Sequence, residues 1–334
     1  MTSIPTNPYL FIKNYAILNL GDKLRLSKID TGESVMIEIE PIDAIFPHET
    51  SFVMFSVSNN IYELKTNAEN LLSYDINNIT DKITSYLETT KDMITHKFYY
   101  KSDRLGVFVT TTNKALFTKR LVSDNNIIHI EQFDSQINNI YQGWGYAVVI
   151  TDNSIEYIDW REVKIQLMKL DENQKVKNVM TSFDNTGEYI YVLLENGSIY
   201  SGKNKLQLVP TELKFDQILR PMSPIYVTSE GKCYVIKNNS FVPLLSLDEF
   251  VIKKSYSSLR DAVGYMIDDQ NRLIYHSLEN TYILSLNDLD TIDIVNIPHI
   301  FHRDRIIFIT RDLRIYSIIF KEQFEGSIEE LKLF

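Results

Sequence analysis

The stretch YIYVLLENGSIYSGKN, residues 189–204, decides the fold. Tyr189 to Leu194 is an apolar and aromatic run of strand length. Asn196-Gly197 then gives a two-residue hairpin signal, in which both central positions are predicted to take positive φ. Ile199-Tyr200 opens the returning strand. The same unit, an apolar run, a polar turn and a strand with Ile or Leu beside an aromatic, is read at seven other places. They are AILNLGDKLRL from Ala16, FVMFSVSNNIYEL from Phe52, GVFVTTTNKALF from Gly106, AVVITDNSIEYI from Ala147, PIYVTSEGKCYVI from Pro224, AVGYMIDDQNRLIY from Ala262 and RIIFITRDLRIY from Arg305.

The first apolar position after each turn falls at Leu24, Ile61, Leu116, Ile155, Ile199, Cys233, Leu273 and Ile315, at steps of 37, 55, 39, 44, 34, 40 and 42. An average near 42 residues fits about four short strands per repeat of a β-propeller. The neighbours of each hairpin agree. Upstream lie apolar residues three apart, Ile42 and Ile45, Ile137 and Ile140, Val176 and Val179, and Phe215 with Ile218. Downstream lies a further strand, as in IIHIEQF from Ile127, QLVPTELKF from Gln207, FVPLL from Phe241 and TYILSL from Thr281. The second strand is often apolar on both faces, as a strand sandwiched between neighbouring sheets must be.

The expected architecture is therefore all-β: one β-propeller domain over residues 1–334, with four-stranded antiparallel blades. Seven units can be read from Ile42 onward, and the first 40 residues add a hairpin and VMIEIE from Val35. We expect seven blades with the N-terminal strands closing the ring; eight is the alternative. Residues 68–92 break the regularity. Leu72, Ile76, Ile79, Ile83 and Leu87 recur at helical spacing, which predicts a helical or long-loop insertion.

Composition points the same way. The 334 residues include 42 Ile, 20 Tyr and 17 Phe but only 6 Ala and 11 Gly, an excess of sheet formers over the best helix former. A net charge of -10 argues against nucleic acid, whose binding rests on neutralised phosphates, and against an anionic membrane surface. No apolar stretch reaches the roughly 18 to 20 residues needed to span a bilayer. The single cysteine, Cys233, excludes an intrachain disulfide and a Cys-based zinc site, and points to an intracellular protein, cytoplasmic or nuclear.

The units 137–160, 176–204 and 207–239 resemble repeats of the regulator of chromosome condensation family. They pair a short strand ending near a glycine with an apolar strand, a turn, an apolar-aromatic strand and a proline-bearing strand, here with Pro210 and Pro243. The resemblance covers about residues 40–320, with Gly143, Gly197, Gly202 and Gly231 near expected places and the family's other glycines missing. It implies a propeller used for protein binding, in some members to promote nucleotide release from a small GTPase.

Sequence motifs for catalysis are absent. Gly143-Trp144-Gly145 precedes a strand and is too short for a dinucleotide fingerprint. The histidines show no metal-ligand spacing, and His302-Arg303-Asp304 lacks every other kinase element. No cofactor and no metal is expected. One pattern recurs just before second strands: Arg104, Arg260, Arg303 and Arg305 beside aspartates, with Arg220, Trp144 and His48 in equivalent loops. These seven are the candidate partner-binding residues, since Arg and Trp are enriched at binding hot spots. The structural alternative is that the Arg-Asp pairs tie neighbouring loops together. The recurrent aromatics Tyr62, Phe117, Tyr200, Tyr234 and Tyr316 are read as packing between blades.

The functional expectation is a non-enzymatic interaction module, monomeric or part of a larger complex, that binds a protein through loops on one face. The alternatives are a guanine-nucleotide exchange factor for a small GTPase and a propeller hydrolase or lectin.

Overall fold

In a computed structural model the chain forms eight four-stranded antiparallel sheets, each made of four consecutive strands hydrogen-bonded in chain order. The structure describes residues 9–12, 15–20, 22–28, 31–48, 51–66, 74–84, 92–102, 105–118, 127–142, 146–159, 161, 163–184, 187–219, 224–237, 240–257, 264–276, 281–285, 294–301, 305–310, 315–320 and 326–330. The first strands of blades 1 to 8 are Tyr9–Ile12, Ile42–His48, Ile94–Ser102, Ile137–Gln142, Val176–Asp184, Phe215–Leu219, Ile252–Ser257 and Ile294–Phe301. First strands of neighbouring blades meet, blade 8 on blade 1, then 1 on 2, 2 on 3, 3 on 4, 5 on 6 and 6 on 7. They therefore line the axis, and each sheet extends outward from it as a propeller blade.

The count is eight, the alternative, rather than the preferred seven. The N-terminal strands do not complete another blade. Tyr9–Ile12, Tyr15–Asn19, Lys23–Lys28 and Ser34–Glu38 form a sheet of their own, whose first strand packs on that of blade 8. Tyr9–Ile12 is an unbroken four-residue apolar run, without the polar residues that set off the spaced apolar pair in Ile137–Gln142 and Phe215–Leu219. Residues 68–92, expected as a helical or long-loop insertion, are in part strand. Among the described residues there, Tyr74–Asn78 is the fourth strand of blade 2 and Thr80–Thr84 is helical, opened by the Asn78 side chain accepting from the Thr80 N–H at 2.9 Å. Ile76 thus sits on a strand, while Ile79 and Ile83 are buried against Phe55 and Phe108; Leu72 and Leu87 lie outside the described residues.

Second strands are buried on both faces, as in Ser51–Ser56, Tyr146–Thr151 and Ile225–Thr228. The apolar clusters straddle neighbouring blades. One joins Ile17 and Leu26 of blade 1 to Phe52 and Met54 of blade 2; another joins Val192 and Leu194 of blade 5 to Val148 and Ile150 of blade 4. Of the recurrent aromatics, Phe117 is buried, and Tyr62, Tyr200 and Tyr234 pack against such clusters. Fully burying one large apolar side chain stabilises by about 1.5–3 kcal/mol, so the ring is held chiefly by its gaps.

The three-residue spacing upstream of each hairpin now has a cause. In a regular strand, residues three apart face opposite sides. Here Ile42 pairs with Ser56 but Ala44 with Phe55, leaving Asp43 as an extra residue. The same bulge recurs at Asn138, Lys177, Asp216, Lys253 and Val295. A bulge restores two residues three apart to one face. Thus Ile137 and Ile140 are both buried, as are Phe215 and Ile218.

The turns between second and third strands correct the two-residue hairpin expected at Asn196-Gly197. Only Gly197 has positive φ, +82°. Its N–H donates to Leu194 O, and the Leu194 N–H donates to Ser198 O, both at 3.0 Å. That is a tight turn followed by one left-handed residue, a form open to hairpins of this length. Asn59, Asn113, Asn271 and Gly231 hold the same position with φ of +63°, +63°, +59° and +81°. Three residues earlier a Ser, Thr or Asp side chain accepts the N–H of the residue after the left-handed one: Ser56 from Asn60, Thr110 from Lys114, Thr228 from Lys232 and Asp268 from Arg272, at 2.8–3.2 Å.

Tyr226, in the second strand of blade 6, is fully buried among Tyr191, Phe215 and Phe241, and its hydroxyl has no hydrogen-bond partner among the described residues. Burial, with a smaller contribution from Tyr191, pushes its pKa well above the ordinary value. Tyr226→Phe removes an uncompensated polar group and is expected to raise the unfolding free energy by about 1 kcal/mol. A urea titration showing a lower midpoint would refute this.

Candidate functional site

All seven predicted residues fall at one topological position, the link between first and second strands. His48 ends the first strand of blade 2, and Arg305 opens the second strand of blade 8, Arg305–Thr310. Arg104 falls between Ile94–Ser102 and Leu105–Thr110, and Trp144 between Ile137–Gln142 and Tyr146–Thr151. Arg220 precedes Ile225–Thr228, Arg260 precedes Gly264–Asp268, and Arg303 precedes Arg305–Thr310. Because the strands are antiparallel, these links leave their sheets at the same end. Arg104, Trp144, Arg220, Arg260 and Arg303 lie outside the described residues.

The opposite end carries the second-to-third turns and the links between blades, and there side chains can be followed atom by atom. In blade 3 the Asp92 side chain is buried beneath the turn Thr110–Asn113. It accepts from Thr111 Oγ1 at 2.9 Å, the Thr112 N–H at 3.2 Å, the Met93 N–H at 3.0 Å and the Thr112 hydroxyl, with Lys114 Nζ at 3.5 Å. Burial alone would raise its pKa; the hydrogen bonds from Thr112, Thr110 and Thr111 outweigh that and bring it to about 2. Glu40 does the same in blade 2. Hydrogen bonds from Tyr62 first, then Asn60, draw its pKa to about 2. Both carboxylates staple a turn to the chain entering its own blade.

A second polar group crosses from blade 3 to blade 4. Lys164 Nζ lies 2.7 Å from Glu131 Oε1 and 3.2 Å from Glu156 Oε2, and 4.6 Å from the centre of the Phe133 ring. His129 Nε2 is 3.0 Å from Glu131, and Ser154 Oγ donates to Glu156 Oε1 at 2.7 Å. Burial would lower the pKa of Lys164, but hydrogen bonds to Glu131 and Glu156 raise it. Burial would raise that of Glu131, but Lys164 and His129 lower it. Lys164 and Glu131 are thus held in their charged forms, which suits a strut between blades. Beside it lies a cavity of about 310 Å³ lined by Asp134, Ser135, Asn153, Glu156, Lys164 and Asp171, among others. Sequence reading missed this group because Glu131 and Lys164 stand 33 residues apart and carry no motif.

Cys233 is buried, which pushes its thiol up to about 12 and leaves it protonated at neutral pH. Among the described residues no group of three or more His, Cys, Asp or Glu side chains is placed to hold a metal ion. No described helix is long and apolar enough to cross a membrane.

No protein-family model and no curated protein sequence matches the chain. Solved structures do. The C-terminal WD40 domain of Sif2 superposes with a TM-score of 0.55 at 10% identity, covering 94% of each chain. BamB from Moraxella catarrhalis gives 0.53 at 8% identity, again over 94% of each chain. PorZ, described as a bacterial surface component of the type-IX secretion system of Porphyromonas gingivalis, gives 0.51 at 13% identity; 97% of this chain spans 38% of that protein. At these identities the likeness establishes the β-propeller fold.

Proposed function

We propose that the chain is a non-enzymatic protein-interaction module inside the cell, which binds its partner with the end bearing the links between first and second strands. One observation carries this reading: in six blades an Arg, Trp or His falls on, or at the edge of, that same link. A ring of such side chains on a rigid scaffold offers the residue types that anchor protein interfaces. Membership of the regulator of chromosome condensation repeats, and with it nucleotide exchange on a small GTPase, is the finer proposal and rests on the repeat pattern with Pro210 and Pro243.

The test is affinity capture from the native source with wild-type protein and an Arg104→Glu/Arg220→Glu/Arg260→Glu variant of unchanged circular dichroism. A captured protein should fall at least about tenfold, the cost of one or two hot-spot residues. Equal capture would refute the reading. Release of labelled nucleotide from a panel of small GTPases tests the finer proposal, and no acceleration across the panel would sink it.

A further inference from the structure

The end opposite the arginine links has a surface of its own. The residue leaving the second strand is Leu20 in blade 1 and Val57 in blade 2, exposed by 51% and 56%. In blade 3 that position is Thr111, whose N–H donates at 2.8 Å to the carbonyl of Met93, itself 60% exposed. Three consecutive blades therefore present a large apolar side chain at the same end. In blades 4 to 7 the corresponding turns present Asp152, Glu195, Glu230 and Asp269, all exposed. Among the described residues none of these four carboxylates is in an ion pair; Asp152 accepts only from Asn138 Nδ2, at 2.9 Å. Two rim lysines turn to backbone instead, Lys232 Nζ to Asp248 O at 2.7 Å and Lys253 Nζ to Asp269 O at 3.2 Å. Leu245, 81% exposed between blades 6 and 7, adds one apolar side chain within the acidic arc.

We propose that this end docks a basic amphipathic segment of a protein partner. Its apolar side chains cover Leu20, Val57 and Met93, and its lysines or arginines lie over the carboxylates of blades 4 to 7. Apolar side chains scattered singly are ordinary on a surface, but these three recur at one end of consecutive blades, next to a run of acidic turns. The charge selects the occupant: four carboxylates outside any ion pair among the described residues, on a chain of net charge -10, repel phosphate backbones and anionic headgroups and steer a cationic polypeptide inward. The proposal rests on the reading of the chain as a protein-interaction module, but it uses the other end of the ring.

The probe is a fluorescein-labelled 18-residue peptide with Lys and Leu at helical spacing, read by fluorescence anisotropy; the control carries Glu for every Lys. The Lys peptide should bind at least tenfold more tightly. Val57→Asp/Met93→Asp should weaken binding tenfold or more. Asp152→Asn/Glu195→Gln/Glu230→Gln/Asp269→Asn should do the same and also flatten the salt dependence. Equal binding of the two peptides overturns the proposal, as does binding that neither set of variants changes. Binding lost only in the Arg104/Arg220/Arg260 variant overturns it and leaves the proposed function standing. The expected pattern here, with native-partner capture indifferent to the arginines, sustains this proposal and removes the arginine links as the binding end while leaving the interaction-module reading in place.

Discussion

Gly231→Ala is expected to lower the unfolding free energy by about 3 kcal/mol. Two causes add. Gly231 sits at φ +81°, where an L side chain costs roughly 1–2 kcal/mol. A Cβ there would also lie 2.7 Å from the Ile252 nitrogen and 2.8 Å from its oxygen, at the start of the next blade. Neither atom can swing aside, because the Ile252 N–H donates to Gly231 O at 2.9 Å and so stitches blade 6 to blade 7. Gly32→Ala is the control. Gly32 has φ +70°, but an added methyl there would meet nothing within 4 Å, so only the backbone cost remains, about 1 kcal/mol. Chemical denaturation of both variants decides the matter; equal losses would refute the contact between blades.

Asp92→Ala is expected to cost a comparable 3 kcal/mol or so, because it strands the donors of Met93, Thr111, Thr112 and Lys114 beneath a turn. Asp92→Asn should recover part of that, since an amide oxygen still accepts but an amide nitrogen meets donors. The pH dependence follows from the depressed folded pKa. An unfolded aspartate titrates near about 3.9, and the folded one near about 2. The stabilisation is therefore complete above about pH 4 and is lost as pH falls through about 2. The stability gap between wild type and Asp92→Ala should be constant from pH 7 to about 5 and shrink steadily below about 4. A gap independent of pH would refute the assignment.

Much of the ring was legible because its local devices are short and repeated. The two-sided apolar second strand predicts a buried strand, and Tyr146–Thr151 is one. The three-residue apolar spacing was visible at Ile137 and Ile140, but its reason, the bulge at Asn138, needs the register of the partner strand. A further signal went unread: a Ser, Thr or Asp three positions before a left-handed Asn or Gly, as in Thr228 and Gly231. What stayed hidden depends on pairing between distant segments. Tyr9–Ile12 counts as a strand only because Tyr15–Asn19 pairs with it. Asp92 is one acidic residue among 44 until the Thr110–Asn113 turn folds over it.

The sequence by itself determined that this chain is a β-propeller of four-stranded blades, that its surface is acidic and that a recurrent link carries arginines. Those properties reside in short-range pattern and in composition, which folding does not alter. The tertiary structure alone decided that there are eight blades, that the N-terminal strands make one of their own, and that Lys164 bridges Glu131 and Glu156. It alone placed Leu20, Val57 and Met93 at the same end of three consecutive blades, the end away from the arginine links. Closing the ring brings turns from separate repeats side by side, and no local pattern records which of them become neighbours.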